Sequence, residues 1–107
     1  MEHTHKKNIQ LTDELIINIR EIAVSFSNIE RILIFGSRAR KTASERADID
    51  LAVDAPNLSS DEWRHLKETV QNLKTLLKID IVLLQKISNE LKSNILKEGI
   101  ELYVKEK

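Results

Sequence analysis

Apolar residues first recur at helical steps. Leu15, Ile19, Ile22 and Phe26, with Ile16 and Ala23 beside them, fall on one face of a 3.6-residue period. Thr12 ahead of Asp13 and Glu14 supplies an N-cap and an acidic first turn. The pattern predicts an amphipathic helix of about four turns that packs on a sheet and ends at Ser27-Asn28. The unbroken apolar run 32–35 predicts a buried strand, and a short helix or turn follows from Ser37 to about Thr42. Polar residues 41–47 form a loop. A second strand covers about 48–53 and stops at the turn signal Asp54-Ala55-Pro56-Asn57. Ser59 with Glu62 three residues on is a capping box, opening a long helix over about 60–77 whose inner stripe is Trp63, Leu66, Val70, Leu73 and Leu77. A third strand is expected over about 79–84. A last helix starts at Ser88, with Leu91, Ile95 and Leu96 facing inward and Gly99 as a left-handed cap, and 100–104 alternates like a short terminal strand.

This order makes a single α/β or α+β domain, a small sheet with helices mainly on one face. Residues 1–10 are a polar lead-in and 11–107 the domain. His3 and His5 form a possible metal pair in the lead-in, for which a plain tail is the competing assignment. The chain of 107 residues is long enough for a core, and 41% apolar with 32% charged residues is globular composition. Seventeen basic and seventeen acidic residues cancel, which disfavours nucleic acid as the main partner. The absence of cysteine excludes a disulfide framework, a thiolate metal site and a cysteine nucleophile, and is compatible with a reducing cytoplasm. No apolar run suits a secretory signal or a membrane span, so a cytoplasmic location is expected. A homo-oligomer is compatible with this composition.

Chemistry concentrates between the first two strands. Gly36 and Ser37 directly follow a buried strand. Glycine allows a sharp turn and a close ligand, and a helix starting at the serine would offer unpartnered amides to a phosphate. Arg38 and Arg40 lie beside that turn, as phosphate ligands or as solvated charges paired with Glu45. Ten residues past Arg38, Asp48 and Asp50 share one face of the second strand. Paired carboxylates repel, and a divalent cation relieves them. Asp80 is the one charge inside the third apolar run and needs a partner, either a shared cation or Lys78. Asp54 has the same parity but belongs to a turn, Trp63 and Tyr103 are packing residues, and His65 is out of register with the helix stripe.

The string Gly36-Ser37-Arg38-Ala39-Arg40, then Ala47-Asp48-Ile49-Asp50-Leu51-Ala52-Val53, with Lys78-Ile79-Asp80-Ile81-Val82-Leu83 further on, resembles the signature of the minimal nucleotidyltransferases of the DNA polymerase beta superfamily. Lys41 stands where that family often has glycine, and Ala47 where it often has serine. The resemblance implies a mixed-sheet nucleotidyltransferase palm. It implies two Mg2+ ions on Asp48, Asp50 and Asp80, with a nucleoside triphosphate, ATP, held by Gly36, Ser37, Arg38 and Arg40. It further implies the antitoxin half of a HEPN–MNT pair, in which AMP is attached to a tyrosine of a helical HEPN toxin. Two other functions are compatible with the chain: a non-catalytic subunit that covers a partner, and a nucleotidyltransferase acting on a small molecule such as an antibiotic.

Overall fold

The computed structural model describes residues 10–106, so His3, His5 and the rest of the lead-in through position 9 lie outside the described residues. Thr12 caps the first helix, α1 (Asp13–Val24), its hydroxyl accepting from the Leu15 amide at 3.2 Å. The helix buries Leu15, Ile16, Ile19 and Ala23. It ends at Ser25, earlier than the periodicity predicts, because the amides of Ser25 and Phe26 turn back to the carbonyls of Ile22 and Ala23. Phe26 therefore packs on the core from a turn.

Four strands follow, β1 (Arg31–Phe35), β2 (Ile49–Asp54), β3 (Ile79–Leu83) and β4 (Ile100–Val104), in the spatial order β3-β2-β1-β4. β1 runs antiparallel to β2 and β4, whereas β2 and β3 are parallel. The parallel pair needs a crossover, and α3 (Ser60–Gln71) provides it. Both halves of its capping box form: Ser59 accepts from the Glu62 amide, and Glu62 accepts from the Ser59 amide. The helix stops six residues short of the expected 77. Thr75 takes the Leu77 amide at 3.1 Å, a local bond that competes with the helical ladder. Leu73 and Leu77 still reach the core, from irregular chain.

Strand alternation divides the interior. Ile32, Ile34, Ile49, Leu51, Val53, Ile79, Ile81 and Leu83 face α1 and α3 and form the main core. At about 1.5–3 kcal/mol for each buried side chain of this size, that face supplies most of the folding drive. Leu33 and Ala52 face the other way and meet Leu84 and Ile95 in a smaller cluster under α4 (Asn89–Glu98). This helix covers less than expected: Ile95 is buried, but Leu91 and Leu96 are 38% and 45% exposed. Gly99 is not a left-handed cap. It is extended, with φ −67°, because the chain passes straight into β4. Glycine suits the position for another reason, since a Cβ there would stand 2.6 Å from the Ile95 carbonyl oxygen and 3.2 Å from Leu33. The second, thinly covered face carries the candidate site.

Candidate active site

β1 ends at Phe35, opposite Asp50 on β2. Gly36 then adopts φ 78°, ψ −154°, a region that is essentially restricted to glycine. A Cβ at this position would lie 2.7 Å from Asp50 Oδ2. Gly36 is thus required twice, by its own backbone and by the carboxylate packed against it. Ser37 opens the single-turn helix α2 (Ser37–Arg40), closed by the Arg40 amide on the Gly36 carbonyl at 3.1 Å. The first amides of such a turn lack intrahelical acceptors. Lys41 ends it in the left-handed region, φ 64°, ψ 31°, which accounts for the glycine expected there from the resemblance. Lys41→Gly should relieve roughly 1–2 kcal/mol of strain, against roughly 0.5–1 kcal/mol for glycine's greater freedom in the unfolded chain. The net gain, about 0.75 kcal/mol at mid-range, corresponds to a melting temperature raised by about 3–6 °C in a thermal scan.

Asp50 and Asp80 are register partners on the parallel strands β2 and β3, whose axes in such a pair lie about 4.8 Å apart. Both therefore project from the second face of the sheet. Asp48 is exposed on the loop just ahead of β2. Burial pushes the Asp50 carboxyl above its ordinary range, the charges of Asp80 and Asp48 push it further, and Arg40 partly opposes them. The three aspartates therefore share one electrostatic neighbourhood. They do not form a closed ligand shell: among the described residues no three acidic or histidine side chains are grouped closely enough to hold a metal ion. Like charges resist convergence, and Asp80 Oδ1 stands 3.6 Å from Lys78 Nζ in an exposed pair. The donor set suits a hard divalent cation, being carboxylate oxygen with one member raised by burial and by the charges beside it.

The two arginines are placed differently from one another. Arg38 is turned inward. Its Nε and Nη2 donate to the Ala47 carbonyl at 3.2 and 2.9 Å, Nη2 also to Glu45 at 3.2 Å, and Nη1 to Gln10 at 2.8 Å. A guanidinium buried against three main-chain carbonyls is a clamp, and the bonds it makes here go to those carbonyls rather than to solvent. Arg40 is the exposed one. It pairs with Glu98 at 3.0 Å and lies close enough to Asp50 to act on its titration. Glu45 offers Arg38 its carbonyl, in place of the side-chain pairing weighed for it.

Other residues fall outside this cluster. Asp54 accepts from Arg31 Nε at 2.9 Å and Gln85 Nε2 at 2.8 Å. Burial raises its carboxyl, but those bonds and the Arg31 charge outweigh the burial and hold it below the usual range. Trp63 packs on the main core with Lys67 Nζ 5.9 Å from its ring centre. His65 is exposed and meets Phe26 edge-on. Tyr103 packs against the core. Gln10 was not foreseen: its side chain bonds both main-chain groups of Ala43. A lone polar residue ahead of a helix gives no sequence signal for such a role.

A family model described as Polymerase beta, Nucleotidyltransferase matches residues 17–107. Among solved structures, a toxin–antitoxin complex with AMP-PNP is 25% identical over 89% of this chain and 75% of the other, with a TM-score of 0.66. A MntA–HepT toxin–antitoxin complex is 21% identical over 88% and 74%, TM-score 0.64. A complex of tri-AMPylated Shewanella oneidensis HEPN toxin with MNT antitoxin is 20% identical over 89% and 74%, also with a TM-score of 0.64. At 20–21% identity the likeness shows the fold. No curated protein sequence matches the chain.

Proposed function

This chain belongs to the polymerase beta nucleotidyltransferase family, and we propose that it transfers AMP from ATP to a tyrosine hydroxyl of a helical HEPN-type partner, acting as the antitoxin of a cytoplasmic pair. The observation that carries the proposal is the registered Asp50–Asp80 pair, with Asp48 beside it and Gly36 packed on the Asp50 carboxylate. The similar complexes support the choice of nucleotide and partner: one was solved with AMP-PNP, and another holds a tri-AMPylated HEPN toxin. No helix among the described residues is long and apolar enough to cross a membrane.

Asp48, Asp50 and Asp80 are the residues that would hold two Mg2+ ions. When bound, the ions supply positive charge against the triphosphate and lower the pKa of the acceptor hydroxyl. The chain's own residues do the rest. Gly36 leaves the main chain bare for close approach of the triphosphate, the Ser37 hydroxyl and the first amides of α2 donate to its terminal phosphates, and Arg40 adds a guanidinium from the exposed side. The acceptor oxygen bonds to the α-phosphorus as the bond to the bridging oxygen breaks; pyrophosphate leaves, and the hydroxyl proton passes to water.

One observation favours a second function. The Lys78–Asp80 pair satisfies Asp80 without a cation, as a non-catalytic cover for a toxin would allow. ATP labelled on its α-phosphate, with Mg2+ and the co-purifying partner, separates the two. An enzyme moves label onto the partner, and Asp48→Asn with Asp50→Asn stops it. A cover binds the partner and leaves it unlabelled.

A further inference from the structure

Among the described residues, Arg38 is the one charged side chain buried in the protein, 7% exposed. It works together with Gln10. The Gln10 amide donates to the Arg38 carbonyl at 3.1 Å, and Arg38 Nη1 donates back to the Gln10 carbonyl. Gln10 Nε2 donates to the Ala43 carbonyl at 3.1 Å, and its Oε1 accepts from the Ala43 amide at 2.9 Å. With the Arg38 bonds to Glu45 and Ala47, three points of the 41–47 loop are fastened by two side chains. The last point, Ala47, immediately precedes Asp48. On the far side of Asp48, the Ile49 amide donates to the Lys78 carbonyl at 2.9 Å.

We infer that Gln10 and Arg38 are positioning residues that hold Asp48 at a fixed place relative to the Gly36-Ser37 turn. The inference rests on the nucleotidyl-transfer function proposed above. Arg38 sits in the same helical turn as Ser37, so its grip on Ala47 makes the phosphate cradle and the first carboxylate one rigid unit. The loop between them is polar, belongs to no strand or long helix, and would otherwise sample many conformations. Arg38 meets no substrate in this role. Its planar fork, which spans Glu45 and Ala47 together, is what matters; lysine retains the charge but not the fork.

The test uses the full chain, well below its melting temperature, with Gln10→Ala, Arg38→Lys and Arg38→Met. Residue-resolved amide exchange reads the loop without nucleotide, and Mg2+ titration of AMP-PNP binding reads the site. Losing a buried hydrogen-bond partner should speed exchange at Ala43 and Ala47 roughly tenfold and raise the half-saturating Mg2+ concentration by a similar factor. Exchange in β1 and β2, and AMP-PNP affinity at saturating Mg2+, should stay within about twofold on the same energetic scale. Gln10→Ala, which alters no charge, should reproduce the effect of the Arg38 variants. Parental exchange in the loop overturns the inference, and so does a loosened loop with an unchanged Mg2+ requirement. Arg38→Lys behaving as the parent while Arg38→Met does not also overturns it, since charge rather than the fork would then be at work. If the parent binds no AMP-PNP at any Mg2+ concentration, the nucleotidyl-transfer function fails instead, and the exchange rates alone decide whether the clamp exists.

Discussion

Asp50→Asn is expected to slow nucleotidyl transfer sharply while raising the melting temperature at neutral pH. Loss of one carboxylate from the cation site should lower the rate about a thousandfold, because a cation's charge stabilisation is worth several kcal/mol and each factor of ten corresponds to about 1.4 kcal/mol. The gain in stability comes from the same side chain. Burial and the charges of Asp80 and Asp48 hold the Asp50 carboxyl above its ordinary value of 3.8. The folded state therefore binds that proton more tightly than the unfolded chain. Its contribution is fully present below about pH 3.8 and is lost as pH rises through the raised value. At neutral pH the ionised carboxylate works against the fold, and asparagine does not. The difference in melting temperature between Asp50→Asn and the parent should thus be small near pH 4 and grow towards pH 7. Asp54 acts in the opposite sense: its lowered carboxyl contributes stability above about 3.8 that is lost as pH falls. It is present in both proteins and cancels in the difference. Mg2+ with ATP should raise the melting temperature of the parent and not of the variant. A difference that is negative at pH 7, or flat with pH, would show that Asp50 is not a strained carboxylate.

Gly36→Ala should damage both fold and activity. The backbone at Gly36 lies in a region that costs other residues roughly 1–3 kcal/mol, and for a domain of this size each kcal/mol lowers the melting temperature by about 4–8 °C. The new methyl also meets Asp50 Oδ2 at 2.7 Å, so the carboxylate must shift from its present place. Transfer should fall at least as far as in Asp50→Asn, because the variant displaces the same group and also crowds the turn ahead of Ser37. A double substitution separates the two costs. Gly36→Ala combined with Asp50→Gly removes the collision but not the backbone strain, and should recover part of the lost stability and none of the activity. Measured against Asp50→Gly alone, a double variant of equal stability would place the whole cost in the collision, and one as far below it as Gly36→Ala is below the parent would place it all in the backbone.

The elements that could be read from the sequence were those governed by short-range rules. Thr12 and the Ser59–Glu62 pair cap their helices as their spacing requires. The alternation in 49–54 and 79–83 places Asp50 and Asp80 on one face, away from Ile49, Leu51, Ile79 and Ile81. That they lie side by side depends on parallel pairing and register, which no local pattern encodes. The ends of α1 and α3 were overestimated because apolar residues continue in helical register after the chain has turned. Phe26, Leu73 and Leu77 are core residues whether or not a helix carries them. Gly99 was misjudged because glycine has two uses, and here close approach to Ile95 and Leu33 outweighs handedness. The clamp made by Arg38 is illegible in the sequence for a related reason. A guanidinium serves phosphates and carbonyls equally well, and the carbonyls that bury Arg38 come from Gln10, Glu45 and Ala47, none of which announces itself in sequence.

Asp80 decides the mechanism, because it has an available partner in Lys78 that a cation would compete with. The direct measurement is transfer of α-labelled AMP to the co-purified partner by the parent and by Asp48→Asn, Asp50→Asn and Asp80→Asn, each at saturating Mg2+. The expected result is label on the partner from the parent, and about a thousandfold less from each variant, Asp80→Asn included. Transfer by Asp80→Asn at the parental rate would contradict a site in which the three carboxylates act on one reaction.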